Sequence, residues 1–516
     1  MEVFSSVATI WVVTVIVAVI PIWALKMLNA LWLRPKRLER LLRAQGLEGD
    51  PYSLSNNQTH TQHQNPKSQP FALSNDVAPQ LFSSVYLTIA KYGKNCFTWE
   101  GTTPKVIITN PEQIKDVFNN IHDFRKPKIS GSAKFLINGL LNHEGEKWAK
   151  HRRIINPAFH LEKLKNMLPA FSQSCHDMIS TWKGMLSSDG TCEIDVCPFL
   201  QKLTCDAISR TAFGSSYAEG TKIFELLKMQ GYLLMKAQHK DIPILRHLPT
   251  AINKRMKGID RDIRDSIEGI IKNREEAMKS GEAANKDLLS ILLEVNHIEI
   301  QGHGNSRTVG MTNQEIVEEC KLFYLAGQET TSSLLVWTMI LLGRYPEWQA
   351  RARQEVFQVF GNQNPNFDGL SRLKIVSMIL YEVLRLYPPT VFFARSLQKD
   401  VKLGHLLLPT GVMVSIPILL LHHDPNIWGD DAKEFKPERF SEGIAKATRG
   451  QVSFFPFGWG PRICIGQNFA LLEAKIVLSL LLQNFSFVLS PGYTHAPTSV
   501  LSLQPKHGAR IILQRL

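Results

Sequence analysis

The sequence predicts a mainly α-helical protein with a small β region, preceded by an N-terminal transmembrane helix. Three observations predict it. A helical pattern runs unbroken from Thr312 to Tyr345, about 34 residues or roughly 50 Å at 1.5 Å per residue. Residues 160–300 keep mostly helical spacing, while strand-like runs are short and bounded by turn residues. Val3 to Leu25 carry no charge, and 23 such residues are enough to cross a bilayer.

No small-residue cleavage site follows the apolar run, so it is an anchor and not a removed leader. Lys26, Arg34, Lys36, Arg37, Arg40 and Arg43 come after it, and the positive-inside rule then leaves the body cytosolic. Trp23 and Trp32 fit an interfacial belt. The sequons at Asn57 and Asn484 would stay unglycosylated in that compartment. Residues 1–33 are thus the anchor, 34–70 a basic segment and polar linker, and 71–516 the main globular domain. Within the middle segment, 34–50 read as a basic amphipathic helix. Residues 53–70 lack the apolar side chains needed to bury a core.

Residues 81–92 read as a helix. Phe97–Glu100 and Lys105–Thr109 read as a hairpin, and Pro111 to Asn120 starts another helix. Residues 125–145 are a loop. The stretch 231–255 is apolar and broken by Pro243 and Pro249, the pattern of two helices with a mobile connection. Strand pattern recurs at 401–420, turning at Pro409-Thr410-Gly411. Ser499–Gln504 and Ala509–Leu513 read as a terminal hairpin whose tip could reach a pocket.

Charge and cysteines exclude several functions. The formal charge is 59 − 46 = +13, but the excess is scattered and carries no aromatic ladder. That argues against nucleic-acid binding and for a membrane surface or an acidic protein partner. The seven cysteines are odd in number and contain no C-x-x-C, so neither a disulfide framework nor a zinc ribbon is expected. His422 and His423 have no third ligand spaced near them and read as non-ligands.

The chemistry concentrates in FFPFGWGPRICIGQNFALLEAK, residues 454–475. Cys464 lies just before an apolar helix, roughly Gln467 to Leu482, whose free N–H groups favour a thiolate. Gly458, Gly460 and Gly466 let the backbone bend and approach a flat ligand. Arg462 can meet an anionic group on that ligand. In the long helix, Thr312-Asn313-Gln314-Glu315 forms a capping box. Further along, AGQETT (326–331) puts a glycine and polar residues into an apolar pattern, a local violation expected at a functional site. Trp148 and Arg152 are four apart on one helical face, and Glu382 and Arg385 three apart on another.

Phe457, Gly460, Arg462, Cys464 and Gly466 fit F-x-x-G-x-R-x-C-x-G, and here the chain closely resembles the haem-thiolate loop of the cytochrome P450 family. The other motifs follow in that family's order, so the resemblance covers nearly everything after residue 71. It implies the P450 fold, haem b with Cys464 as axial thiolate and metal ligand, and Phe457 and Gly458 in the cofactor loop. It implies that Trp148, Arg152, Arg462 and Arg395 contact the haem, Arg395 at a propionate after pocket-lining Val391–Phe393. Glu329 and Thr330 would order water and deliver protons on the distal side. Glu382, Arg385 and Arg439 would form an architectural cluster. WLRPKRLERLLRAQGLEGDPY and AFHLEKLK narrow the resemblance to plant seventy-two-type members, within those the triterpenoid-oxidising ones of legumes.

The implied activity is monooxygenation of a hydrophobic plant metabolite, most readily an oleanane-type triterpenoid. Electrons would come from NADPH through a separate flavoprotein, NADPH-cytochrome P450 reductase, because no flavin- or NAD-binding fingerprint is present. Lys150 and Arg153 could form part of a partner face. The microsomal resemblance implies a single-pass protein of the endoplasmic reticulum membrane. A P450-fold isomerase or dehydratase, a haem-binding sensor, or oxidation of another terpenoid such as a gibberellin or iridoid are the alternatives. Glu329-Thr330 argue against the isomerase.

Overall fold

Short strands need neighbours, and in the computed structural model they find them in two separate settings. The structure describes residues 11, 19–54, 73–129, 131–214, 217–238, 250–280, 287–302 and 310–516. These fall into two units: Met1–Gln64, Phe82–Pro127 and Phe393–Pro417 form one, and Asn65–Leu81, Lys128–Phe392 and Ile418–Leu516 the other.

The first unit is built on a six-stranded mixed sheet. Its order is Glu48–Gly49, Cys96–Glu100, Thr103–Ile107, Met413–Ile416, Phe393–Leu397, Phe124–Arg125. The expected hairpin forms, with Cys96 opposite Ile107 and Glu100 opposite Thr103. A Cβ on Gly49 would lie 2.3 Å from the Phe97 carbonyl, so the edge pairing needs glycine there. The basic amphipathic helix is shorter than expected, Arg34–Arg43, and is tied down by Glu39. That carboxylate accepts from Lys36, Arg43 and the Tyr52 N–H. Tyr52 donates in turn to the Leu31 carbonyl at 2.6 Å.

The expected N-terminal membrane-spanning helix is corrected here. Among the described residues, no helix is long and apolar enough to cross a membrane. The described helical run begins at 19, and Lys26, Arg34 and Lys36 break its apolar character within 18 residues. Most of Val3–Leu25 lies outside the described residues, as does most of the 53–70 linker. The expected single-pass placement in the endoplasmic reticulum membrane, which needs such a helix, is corrected with it. Trp32, expected at an interface, packs against Tyr52 with ring centroids 6.0 Å apart.

The second unit is helical around one long axis. Asn313–Arg344 forms the expected helix, and the Thr312–Glu315 capping box is made in both directions. It is buried from Ile316 to Tyr324 and again from Thr331 to Gly343. The helix Val196–Phe213 lies along it, and the rings of Phe213 and Tyr324 stack at 4.2 Å. A Cβ at Gly327 would meet Ile208 Cδ1 at 3.0 Å, so this glycine also serves helix–helix approach.

The C-terminal strands differ from expectation. Pro497–Ser499 pairs with Leu503–Pro505, while Arg510–Arg515 leaves for another sheet. There it lies between Phe485–Leu489 and Thr191–Asp195. The switch occurs at Gly508, whose φ of 77° is open to glycine. Alternation within 499–513 showed strands but not their partners. The connection expected within 231–255 lies at 239–249, outside the described residues.

Buried histidines set an acid limit on this unit. Desolvation by burial lowers the pKa of His143 and His495 to about 4 and that of His423 to about 3. Unfolded histidine titrates at about 6.5, so between these values the unfolded chain binds more protons. Stability from these groups is present above about pH 6.5 and is lost as pH falls toward 4. The thermal midpoint is therefore expected to decline over that window. A midpoint unchanged from pH 7 to 4 would contradict the assignment.

Candidate active site

Of the seven cysteines, burial pushes the thiols of Cys96 and Cys205 up to about 12, and those of Cys175, Cys197 and Cys320 higher still. None of the seven is in a disulfide, Cys192 is half-buried on a strand, and Cys464 alone is exposed. A thiolate ligand requires an accessible, electropositive setting, which selects Cys464.

The loop before Cys464 is shaped by local bonds. Gly458 and Gly460 have φ of 72° and 69°, allowing the turn, and the Cys464 N–H donates to the Phe457 carbonyl at 2.9 Å. Gly466 is not left-handed. A Cβ there would stand 3.9 Å from the Cys464 Sγ. The helix Gln467–Asn484 begins at once, so its unpaired N–H groups lie close to the thiol in sequence.

Arginines gather beside the loop. On the helix Gly145–Ile155, Arg152 donates to the Ile463 carbonyl at 2.9 Å. Desolvation lowers its pKa, and the charge of Cys464 opposes that shift. Arg462 sits over the Trp148 ring at 4.5 Å, pairs with Glu144 at 2.7 Å and donates to the His143 carbonyl. Desolvation lowers its pKa, and Glu144 counters it. One thiol beside two guanidiniums with a single paired carboxylate is a donor set that fits a metal-centred macrocycle bearing acidic arms.

The middle of the long helix supplies the other candidates. Between its buried halves, Ala326 is exposed and Gly327, Glu329 and Thr330 are half-buried. The Thr330 hydroxyl donates to the Ala326 carbonyl at 2.7 Å. Glu329 Oε1 accepts from the Ser502 hydroxyl at 2.7 Å. Thr331 and Gln328 are buried, and their side-chain polar atoms have no hydrogen-bond partner among the described residues.

Arg395 belongs to the first unit, where its guanidinium lies 5.3 Å from the Phe118 ring and donates to the Ala394 carbonyl. Lys150 and Arg153, expected to form part of a partner face, also have partners within the chain, and the Arg153 side chain stays 64% exposed. Lys150 donates to the Gly310 carbonyl and Arg153 pairs with Glu299. His422 and His423 are structural: His422 Nε2 accepts the Phe455 N–H, and His423 Nε2 bonds the Leu386 carbonyl.

Sequence reasoning missed Glu319. This buried carboxylate accepts from His151 at 2.6 Å and from the Leu140 N–H at 2.9 Å, with His143 at 3.8 Å. The three groups lie within 4.8 Å, a spacing that could hold a metal ion. The 2.6 Å contact is nonetheless a hydrogen bond, and Lys147 and Lys150 lie beside neighbouring Glu315. The cluster ties the Arg152 helix to the long helix. Separation by 168 residues left no signal for it in the sequence.

This fold and this cysteine site define the class. A family profile described as Cytochrome P450 matches residues 73–511, and the chain belongs to that family. It is a haem-thiolate monooxygenase, with haem b held by a cysteine thiolate and electrons supplied by a redox partner. The chain is 69% identical, over the full length of both, to a Glycyrrhiza uralensis protein named 11-oxo-beta-amyrin 30-oxidase. It is 66% identical, again end to end, to a Medicago truncatula protein of the same name. A retinoic acid-bound cyanobacterial CYP120A1 structure shares the fold. Its TM-score is 0.72 at 24% identity, covering 87% of this chain and 98% of that one.

Proposed function

We propose that this enzyme oxidises an oleanane-type triterpenoid, with 11-oxo-beta-amyrin the first substrate to try. The observation that carries this reading is end-to-end identity of 69% and 66% to two proteins bearing the oxidase name. The test is co-expression with NADPH-cytochrome P450 reductase and a panel of triterpenoid backbones. Oxidised oleananes are expected. Turnover of gibberellin or iridoid precursors alone would overturn the reading.

When bound, the haem supplies oxygen activation and insertion. The chain's own residues do the rest. Cys464 presents its sulfur from a loop fixed by the Phe457 carbonyl. Trp148, Arg152 and Arg462 would offer one ring and two cations to the acidic arms, and the family resemblance gives Arg395 a propionate contact as well. Phe457 and Gly458 shape the loop. Glu329 brings protons in, and Thr330 holds the water that passes them on. Because the Thr330 hydrogen is donated to Ala326, the hydroxyl oxygen is left to accept from water.

Thr330→Ala is therefore expected to keep haem incorporation and substrate binding while uncoupling the enzyme. Product per NADPH should fall about 10- to 100-fold, with peroxide per NADPH rising. Thr331→Ala, buried and on another face, should do much less. Equal coupling in both variants and the parent would remove Thr330 from proton delivery.

A further inference from the structure

The long helix carries three groups on one face, Glu329, Ser333 and Trp337, spaced four apart. All three meet the turn of the Pro497–Ser499/Leu503–Pro505 hairpin. The Ser333 hydroxyl and the Trp337 indole N–H both donate to the Leu503 carbonyl, at 2.6 and 2.8 Å. The Leu503 N–H donates to the Pro389 carbonyl at 3.0 Å. Residue 503 is thus pinned from both sides, which fixes its neighbour Ser502. Ser502 is 1% exposed and donates to Glu329 Oε1 at 2.7 Å, and its own oxygen accepts from Gln504 Nε2 at 3.1 Å.

We infer that Ser502 is a positioning residue for the proton-delivering carboxylate of Glu329, and that Gln504 orients its hydroxyl. The inference rests on the proton-delivery reading of Glu329 given above. A hydroxyl-to-carboxylate bond is charge-assisted and directional, so it selects one rotamer of a side chain with three free torsions. Oε1 is occupied by Ser502, and Oε2 has no protein partner among the described residues. One oxygen is held and the other is open to water, the arrangement a carboxylate needs to exchange protons without swinging away. The tip of the same turn exposes Val500 and Leu501, and Leu501 Cδ1 lies 3.4 Å from where a Cβ on Gly231 would stand. The turn that orients Glu329 therefore also stands beside Gly231 of the helix Tyr217–Gln238.

The experiment compares Ser502→Ala, Ser502→Thr and Glu329→Gln in the haem-loaded, full-length enzyme with reductase. Ser502→Ala is expected to lower product per NADPH about 3- to 10-fold, part of the full effect of a positioned proton donor. Spectral substrate affinity and haem content should stay at parent values, and Ser502→Thr, which keeps the hydroxyl, should restore coupling. Independently of turnover, infrared difference spectra of parent minus Glu329→Gln isolate the Glu329 carboxylate. Its stretching band should move when the same difference is taken in the Ser502→Ala background. If Glu329→Gln uncouples while Ser502→Ala couples like the parent with an unmoved band, the positioning role is overturned. If Glu329→Gln itself couples fully, the reading of Glu329 fails, and the inference fails with it.

Discussion

Cys464→Ser is expected to abolish the thiolate-type Soret band of the reduced, CO-treated protein and to reduce monooxygenation to background. The reason is the contrast among the seven thiols. Five are buried and held protonated, Cys192 lies on a strand, and only Cys464 is exposed beside a helix start and two guanidiniums. A serine oxygen in its place is a harder and far less readily ionised donor. Cys192→Ser serves as the control and should keep the band. A band retained in Cys464→Ser, or lost in Cys192→Ser, would move the ligand elsewhere.

The second large effect is expected at Arg385. Glu382 and Arg385 are fully buried, and two parallel bonds of 2.8 and 2.7 Å join them. The remaining guanidinium hydrogens reach the carbonyls of His422, Ala432 and Glu434. Glu382 also accepts the Lys436 N–H, and Arg439 stands 3.6 Å away while donating to Trp428 and Asp431. The cluster thus holds backbone between residues 422 and 436. Arg385→Ala would leave a buried carboxylate and three carbonyls without their donor, costing about 3–5 kcal/mol. Folded, haem-loaded yield should collapse. Lys115→Ala, which removes an exposed pair with Glu112 at 3.8 Å, should cost at most about 1 kcal/mol. Comparable yields of Arg385→Ala and the parent would show that the cluster is not architectural.

How these features read from the sequence depends on how local they are. The capping box at Thr312, the Trp148–Arg152 face and the Glu382–Arg385 pair each lie within about one helical turn, so backbone geometry alone brings them together. The turn before Cys464 likewise follows from glycines and a proline adjacent in sequence. The Glu329–Ser502 bond joins residues 173 apart, and nothing in AGQETT points to a serine in the C-terminal turn. Gly327 looked like a functional break, and its clearest steric role is the approach of Ile208. The partners of Lys150 and Arg153 within the chain, the Gly310 carbonyl and Glu299, lie more than 140 residues away and left no signal beside them in the sequence.

What the sequence by itself determined was therefore the family, the cysteine loop, the long helix and the residue types able to hold a haem. Those features rest on spacing, propensity and short-range sterics. Only the tertiary structure decided which sheet receives Arg510–Arg515, which carbonyls Arg385 binds, that Glu319 anchors His151, and that Ser502 holds Glu329. Strand partners and buried hydrogen bonds are chosen by which surfaces the whole chain brings together. Many pairings satisfy the same alternation or the same donor, and packing selects among them.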